Sequence, residues 1–213
     1  MHTPVTEKEE NNKKKETMDV YIVGSSVTKN INPKIMYKTK KVHVAQLQDK
    51  TVQGAKEFIE TVEMEAGIVL YQIESNDLSK KKTAIETLKE VEDLVKTTKK
   101  YMPSARIVLC AILPRYQRNV HWRNIYENKR EEFNTGLKVI GDQYSCILVH
   151  CPRLQEDDII DGIHPSVHSG VPKLVRSYEF VLNQMLGLSN VHVDNRKIKK
   201  NKKIFTGNVI YRK

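Results

Sequence analysis

Four polar residues of the sequence have the types that acyl transfer requires: Ser26, Asn76, Asp161 and His164. A serine hydroxyl is a weak nucleophile until a base removes its proton, and an imidazole can be that base because its ordinary pKa lies near neutral pH. An aspartate three residues before the histidine can reach the other ring nitrogen, where it fixes the tautomer and stabilises the imidazolium. The Asn76 amide and the backbone N–H of Ser26 can donate to a developing oxyanion, and one such donor typically lowers the barrier by about 2.7–4 kcal/mol.

Each of these residues also has a simpler interpretation. A serine after a first strand is commonly a turn residue, and a lone histidine in a loop is commonly structural or solvated. Asn76 and Asp77 could cap a helix that starts near Lys80, and Asp161 could be an ordinary turn former. The chemical interpretation therefore depends on whether the fold brings the four side chains together.

Short apolar runs alternate along the chain with amphipathic patterns. The runs are rich in β-branched residues and fit strands that are buried on both faces. They occupy residues 20–23, 42–45, 68–71, 107–113 and 146–149. Between and after them, apolar residues recur at the spacing of one helix face, in stripes that begin at Ala55, Ile85, Trp122 and Val171. Pro165 could begin the turn into the last of these helices, because proline is tolerated in a first helical turn.

Strands that alternate with helices predict an α/β protein, a three-layer α/β/α sandwich around a central five-stranded parallel sheet, over roughly residues 18–190. Ligands of such sheets bind beyond the carboxyl ends of the strands. Ser26 follows the first run, Asn76 the third, and Asp161 and His164 the fifth. We therefore expect all four side chains at one edge of the sheet.

The sequence resembles the SGNH-hydrolase superfamily, also called GDSL-type esterases, over roughly residues 19–187. Three segments carry the resemblance: IVGSS at 22–26, LYQIESNDL at 70–78 and DGIHPS at 161–166. The resemblance implies a flavodoxin-like α/β/α fold, Ser26 as the nucleophile, and Asp161 with His164 as its partners. It also implies an oxyanion hole built from Ser26, Asn76 and the backbone N–H at Asp49.

At two positions an acidic residue stands where the family has glycine: Asp49 and Glu74. In addition, Ser25 stands where the family usually has aspartate. A carboxylate close to a developing oxyanion would raise its energy, most strongly in a dry pocket. If Asp49 and Glu74 point inward we expect poor hydrolysis, whereas outward orientations would preserve the backbone donor at position 49.

The formal net charge is +10, and most of it lies at the C-terminal end. Residues 194–213 contain eight lysines and arginines and one aspartate. We interpret residues 191–213 as a basic tail, and residues 1–17 as a polar, disordered N-terminal tail. The basic tail could bind the phosphates of nucleic acid, serve as a nuclear address, or simply be solvated. The segment 114–118 with Arg123 is a second basic stretch, which could favour an anionic substrate group or be a solvated loop.

Several classes of protein are disfavoured. No apolar run approaches the roughly 18 residues that a membrane span needs, and the polar N-terminus lacks the apolar region of a secretory signal. The three cysteines read as small core residues of a reducing compartment, which favours an intracellular location, cytoplasmic or nuclear. No cluster of His, Cys, Asp or Glu has ligand spacing, so no metal or organic cofactor is implied. The oligomeric state is left open.

Two hypotheses follow. The first is a serine esterase or acyl hydrolase that acts on a small ester or acyl substrate through Ser26, His164 and Asp161. The second is a catalytically weak or inactive binding module on the same fold, whose residues 194–213 bind nucleic acid. The first hypothesis predicts turnover of aryl esters, and the second predicts binding that weakens strongly with salt.

Overall fold

Each of the five apolar runs contributes to one strand of a single parallel sheet. The computed structural model describes residues 16–73, 75–79 and 82–189. The strands are β1 (Glu16–Gly24), β2 (Val42–Gln46), β3 (Met64–Gln72), β4 (Arg106–Cys110), β5 (Ile147–Val149), β6 (Ile159–Ile160) and β7 (His164–Pro165). The helices are α1 (Pro33–Met36), α2 (Val52–Thr61), α3 (Ser75–Ser79), α4 (Ala84–Tyr101), α5 (Val120–Tyr144) and α6 (Gly170–Met185), with single 3-10 turns at Ser26–Thr28 and Glu156–Asp158.

The main sheet has the strand order β2-β1-β3-β4-β5, and every neighbouring pair is parallel. This confirms the predicted α/β class with a central five-stranded parallel sheet. Strand β4 is shorter than the apolar run that predicted it, because the ladder ends at Cys110 while the chain continues buried to Leu113. The N–H of Ala111 still donates to the Val149 carbonyl, at 2.8 Å.

The two faces of the sheet bury two separate apolar clusters. In β1, Tyr21 and Val23 pack on one face, and Val20 and Ile22 pack on the other. The first face is covered by apolar side chains of α2, α4 and α5, and the second by those of α1 and α6. Because side chains alternate along a strand, a strand buried on both faces reads as a continuous apolar run. The three-layer α/β/α sandwich is therefore confirmed.

The interpretation of Asn76 and Asp77 as caps of the following helix is wrong. Both residues lie inside the short helix α3. Helix α4 begins after Thr83, whose side chain accepts the N–H of Glu86 while the Glu86 carboxylate accepts the N–H of Thr83. This reciprocal capping box satisfies two N–H groups that would otherwise be unpaired at the helix start, so α4 needs nothing from Asn76.

The expectation that Pro165 begins the last helix is also wrong. Pro165 lies in β7, which pairs with β6 as a two-stranded antiparallel hairpin outside the main sheet. Helix α6 begins five residues later, at Gly170. The Ser166 hydroxyl accepts hydrogen bonds from the N–H groups of Ser169 and Gly170 and thereby caps the N-terminus of α6. A hairpin, and not a helix start, therefore carries His164.

Both tails lie mostly outside the described residues. Residues 1–15 precede the described chain, and residues 190–213, with the whole of the basic stretch at 194–213, follow it. Strand β1 begins at Glu16, two residues before the expected start of the domain. Within the residues that the structure describes, no helix is both long enough and apolar enough to cross a bilayer.

Candidate active site

Ser26 lies in a tight turn at the carboxyl end of β1. It is the first residue of the 3-10 turn, and the Thr28 hydroxyl closes this turn by donating to the Ser25 carbonyl at 3.0 Å. Glycine is required at position 24, because a Cβ atom there would lie only 2.1 Å from the Thr28 Oγ1. The N–H of Ser25 donates to the carbonyl of Gln72 on β3, which fixes the start of the turn to the neighbouring strand.

Asp161 and His164 lie on the turn that connects β6 to β7. Asp161 and Gly162 both have positive φ, +52° and +73°, which is the combination typical of Asp-Gly hairpin turns. One carboxylate oxygen of Asp161 accepts the backbone N–H groups of Ile163 and His164, at 3.1 and 3.0 Å. Asp161 is therefore both a turn former and a residue whose second oxygen is directed at the His164 ring.

The three side chains form a continuous hydrogen-bonded chain. The His164 Nδ1 lies 2.8 Å from the Asp161 Oδ2, and the His164 Nε2 lies 2.9 Å from the Ser26 Oγ. Because an ionised carboxylate can only accept, Nδ1 must carry the proton in the neutral ring. That tautomer leaves Nε2 as an acceptor for the serine hydroxyl, which is the arrangement a general base requires.

Hydrogen bonding keeps Asp161 ionised. Partial desolvation acts to raise the pKa of Asp161, but the hydrogen bonds from the His164 ring and from the two backbone N–H groups outweigh it and lower the pKa below its ordinary value. The side chain remains 56% exposed and that of His164 35% exposed. The site is therefore open to solvent and not enclosed in a deep pocket.

Asn76, in helix α3, forms hydrogen bonds with the loops that follow β2 and β4. Its Nδ2 donates to the Lys50 carbonyl at 2.8 Å, and its Oδ1 accepts from the Arg115 Nη2 at 3.2 Å. The neighbouring Asp77 is fully buried, and its Oδ2 accepts the N–H of Val52 at the start of α2. Helix α3 is thus fixed against the loop that contains Lys50.

Asp49 lies in the same loop, one residue before Lys50, and it is exposed to solvent. Its carbonyl passes so close to α2 that a Cβ atom on Gly54 would lie 2.2 Å from it. Because solvent screens an exposed charge, the Asp49 carboxylate raises the energy of a nearby oxyanion far less than a buried one would. Glu74, the second departure from the family pattern, lies outside the described residues.

The sequence did not identify two residues that hold the site together. Arg115 belongs to the basic segment 114–118, and its interpretation as part of a solvated loop is wrong, since it is 7% exposed. Asp158, whose side chain is 3% exposed, accepts from Lys173 at 2.6 Å, and its carbonyl accepts the N–H of Ser166. It thereby fastens the His164 hairpin to α6. The sequence has no signal that separates Arg115 from the exposed Arg118.

Gly162 is expected to be intolerant of even a single added methyl group. A Cβ atom would lie 2.5 Å from the Tyr116 carbonyl oxygen, and the positive φ adds backbone strain of about 1–3 kcal/mol. Gly162→Ala should therefore lower the midpoint of thermal unfolding and displace His164. Gly187→Ala is the matched control, because Gly187 also has a positive φ, +65°, but has open space around it. Equal losses of thermal stability in the two variants would contradict a role for the Tyr116 contact.

Comparisons with known proteins support the fold assignment. No protein-family model and no curated protein sequence matches the chain. Among solved structures, a candidate acylhydrolase from Bacteroides fragilis is similar with a TM-score of 0.67 and 16% identity, over 82% of this chain and 90% of that one. A GDSL-like lipase from Bacteroides thetaiotaomicron matches with a TM-score of 0.65 and 14% identity, over 87% of this chain and 93% of that one.

A third similar structure is a psychrotrophic esterase from Pseudoalteromonas that was solved with monoethylphosphonate as its inhibitor. Its TM-score is 0.59 at 15% identity, over 81% of this chain and 99% of that one. At these identities the similarity concerns the fold. The chain therefore has the fold of the SGNH-hydrolase superfamily, as the resemblance of its three segments implies.

Proposed function

We propose that the protein is a serine esterase of the SGNH type, a carboxylic ester hydrolase that acts on small esters. The observation that carries this proposal is the chain of contacts from Asp161 through His164 to Ser26, at 2.8 and 2.9 Å. Nucleophilic acyl transfer by serine uses a histidine that removes the hydroxyl proton and an aspartate that orients this histidine. Esterases and acylhydrolases among the proteins of similar fold support the same reaction class.

The proposed reaction has two halves. The Ser26 Oγ attacks the ester carbonyl as His164 Nε2 takes its proton, and the imidazolium then returns that proton to the departing alcohol. Asp161 stays ionised and stabilises the imidazolium. Water, activated by the same nitrogen, then hydrolyses the acyl-serine and releases the carboxylic acid. We assign the oxyanion contacts to the backbone N–H groups of Ser26 and Asp49 and to the Asn76 amide.

The open site favours small substrates. The Asp161 and His164 side chains are partly exposed, so little surface is available to bury a long acyl chain around the reacting carbonyl. We therefore expect acetyl and other short acyl esters to react better than long-chain ones. The nucleic-acid alternative rests on the charge of residues 194–213, which lie outside the described residues, whereas the contacts among Asp161, His164 and Ser26 support the esterase.

A fluorophosphonate probe tests the proposal without knowledge of the natural ester. An activated serine displaces fluoride from phosphorus and becomes covalently labelled. We expect the full chain to be labelled, Ser26→Ala not to be labelled, and His164→Ala to be labelled at least 100-fold more slowly. Intact mass and peptide mapping would identify the modified residue. Labelling of Ser26→Ala at the wild-type rate would overturn the assignment.

A further inference from the structure

Arg115 is a buried cation that contacts the proposed oxyanion donor. It is 7% exposed, and its Nη2 lies 3.3 Å from the Ser75 Oγ and 3.2 Å from the Asn76 Oδ1. The guanidinium also lies over the ring of Tyr126, with 5.0 Å between its central carbon and the ring centroid. Arg115, in the loop after β4, is thus held between Tyr126 of α5 and Asn76 of α3.

The charge of Arg115 has no counter-ion among residues 16–73, 75–79 and 82–189. Arg115 forms no ion pair there, and its Nε is buried without a hydrogen-bond partner. Burial of a cation costs free energy, because the protein interior solvates charge less well than water does. An apolar side chain would fill this position more stably if packing were its only role. A buried cation can, however, stabilise negative charge that develops at a nearby site during a reaction.

The contacts of Asn76 define the positions of its amide oxygen and nitrogen. A guanidinium can only donate, so it must face the amide oxygen, whereas the Lys50 carbonyl can only accept, so it must face the amide nitrogen. The two distances, 3.2 and 2.8 Å, agree on one orientation. Loss of Arg115 would remove one contact that favours this orientation over the flipped form, in which the amide oxygen would face the oxyanion.

We propose that Arg115 is a positioning residue for the oxyanion hole: it fixes the orientation of the Asn76 amide and polarises its N–H groups through the contact with Oδ1. This inference rests on the proposed function. Because the amide acts on charge that develops in the transition state, loss of Arg115 should lower kcat and leave KM nearly unchanged. Arg115 itself does not touch the substrate.

A double-mutant cycle separates this role from a merely structural one. Asn76→Ala should lower kcat about 100- to 1,000-fold, as loss of one oxyanion donor does. We expect Arg115→Met to lower kcat 10- to 100-fold in the wild-type background and less than 2-fold in the Asn76→Ala background. Arg115→Lys should restore part of the rate, and Arg118→Met, in the same loop but exposed, should match the wild type. Equal losses in both backgrounds would overturn the proposal.

A second measurement needs no turnover. The side-chain amide pair of Asn76 in a ¹H–¹⁵N spectrum can be identified by its absence in Asn76→Ala. We expect it to move in Arg115→Met, to move less in Arg115→Lys, and to stay in place in Arg118→Met. An unmoved pair in folded Arg115→Met, or in Arg115→Lys if the methionine variant unfolds, would overturn the positioning role. Absence of ester turnover in the wild type would instead overturn the proposed function, so the two failures are distinguishable.

Discussion

Ser26→Ala should lower the kcat/KM for short aryl esters by at least about 10⁴-fold, and His164→Ala should do nearly the same. The two side chains act as one unit across the 2.9 Å contact between Nε2 and Oγ, so either one is ineffective without the other. For the same reason, the double variant should be no slower than Ser26→Ala alone. The measurement is the initial rate of aryl acetate hydrolysis at neutral pH.

The matched control for this prediction is His168→Ala. His168 is an exposed imidazole four residues beyond His164, and an exposed imidazole can hydrolyse activated esters slowly without any site. Wild-type activity in the His168 variant, together with its loss in the other two, would attribute turnover to the Ser26 site. Equal rates in the wild type, Ser26→Ala and His164→Ala would remove the esterase proposal.

Asp161→Asn should lower kcat by about 10³- to 10⁴-fold while the hairpin keeps its shape. Asparagine tolerates a positive φ as well as aspartate does, so the turn at +52° is preserved. The substituted amide can donate its N–H to the His164 Nδ1, which would move the ring proton to Nε2 and remove the acceptor for the Ser26 hydroxyl. Circular dichroism and thermal unfolding would establish that the variant is folded.

The pH dependence of this penalty follows from the lowered pKa of Asp161. The pKa of Asp161 is lowered in the folded protein, so this carboxyl group is ionised at any pH above the ordinary aspartate pKa of about 3.9. Its contribution to stability is lost only as the pH falls through the lowered pKa of the folded state. The ratio of wild-type to Asp161→Asn rates should therefore stay constant between about pH 8 and 9, above the ordinary pKa values of both a carboxyl group and an imidazole. Asp157→Asn, an exposed neighbour, is the control. A loss below 10-fold, or a ratio that vanishes at alkaline pH, would contradict the assigned role.

Most of the fold was predictable because the central strands are buried on both faces. Burial on both faces turns a parallel strand into an uninterrupted apolar run, and the helices between such runs show one apolar stripe. The same topology explains why the sequence predicts that the side chains of Ser26 and His164 lie close together, although 138 positions separate them. Side chains that follow parallel strands reach one edge of the sheet whatever their distance along the chain.

Other features leave no periodic signal. Strands β6 and β7 have two residues each, too few for an alternating pattern, so the hairpin that carries His164 was not predicted. Pro165 is also compatible with the turn into a helix, because proline is tolerated in a first helical turn, and this alternative favoured the wrong interpretation. The solvated-loop alternative for segment 114–118 followed from the usual exposure of charged residues. Arg115 is instead buried, in contact with Tyr126 and Asn76.

The separation of Ser26 and His164 by 138 positions has a consequence for biosynthesis. A ribosome completes Ser26 well before the hairpin that holds His164, and that hairpin is held in place by the ion pair of Asp158 with Lys173 of α6. We therefore expect chains released before α6 is complete to lack a serine that reacts with the fluorophosphonate probe. Appearance of probe labelling would consequently mark the completion of folding, both during translation and in refolding from denaturant, more sharply than the recovery of helical signal does.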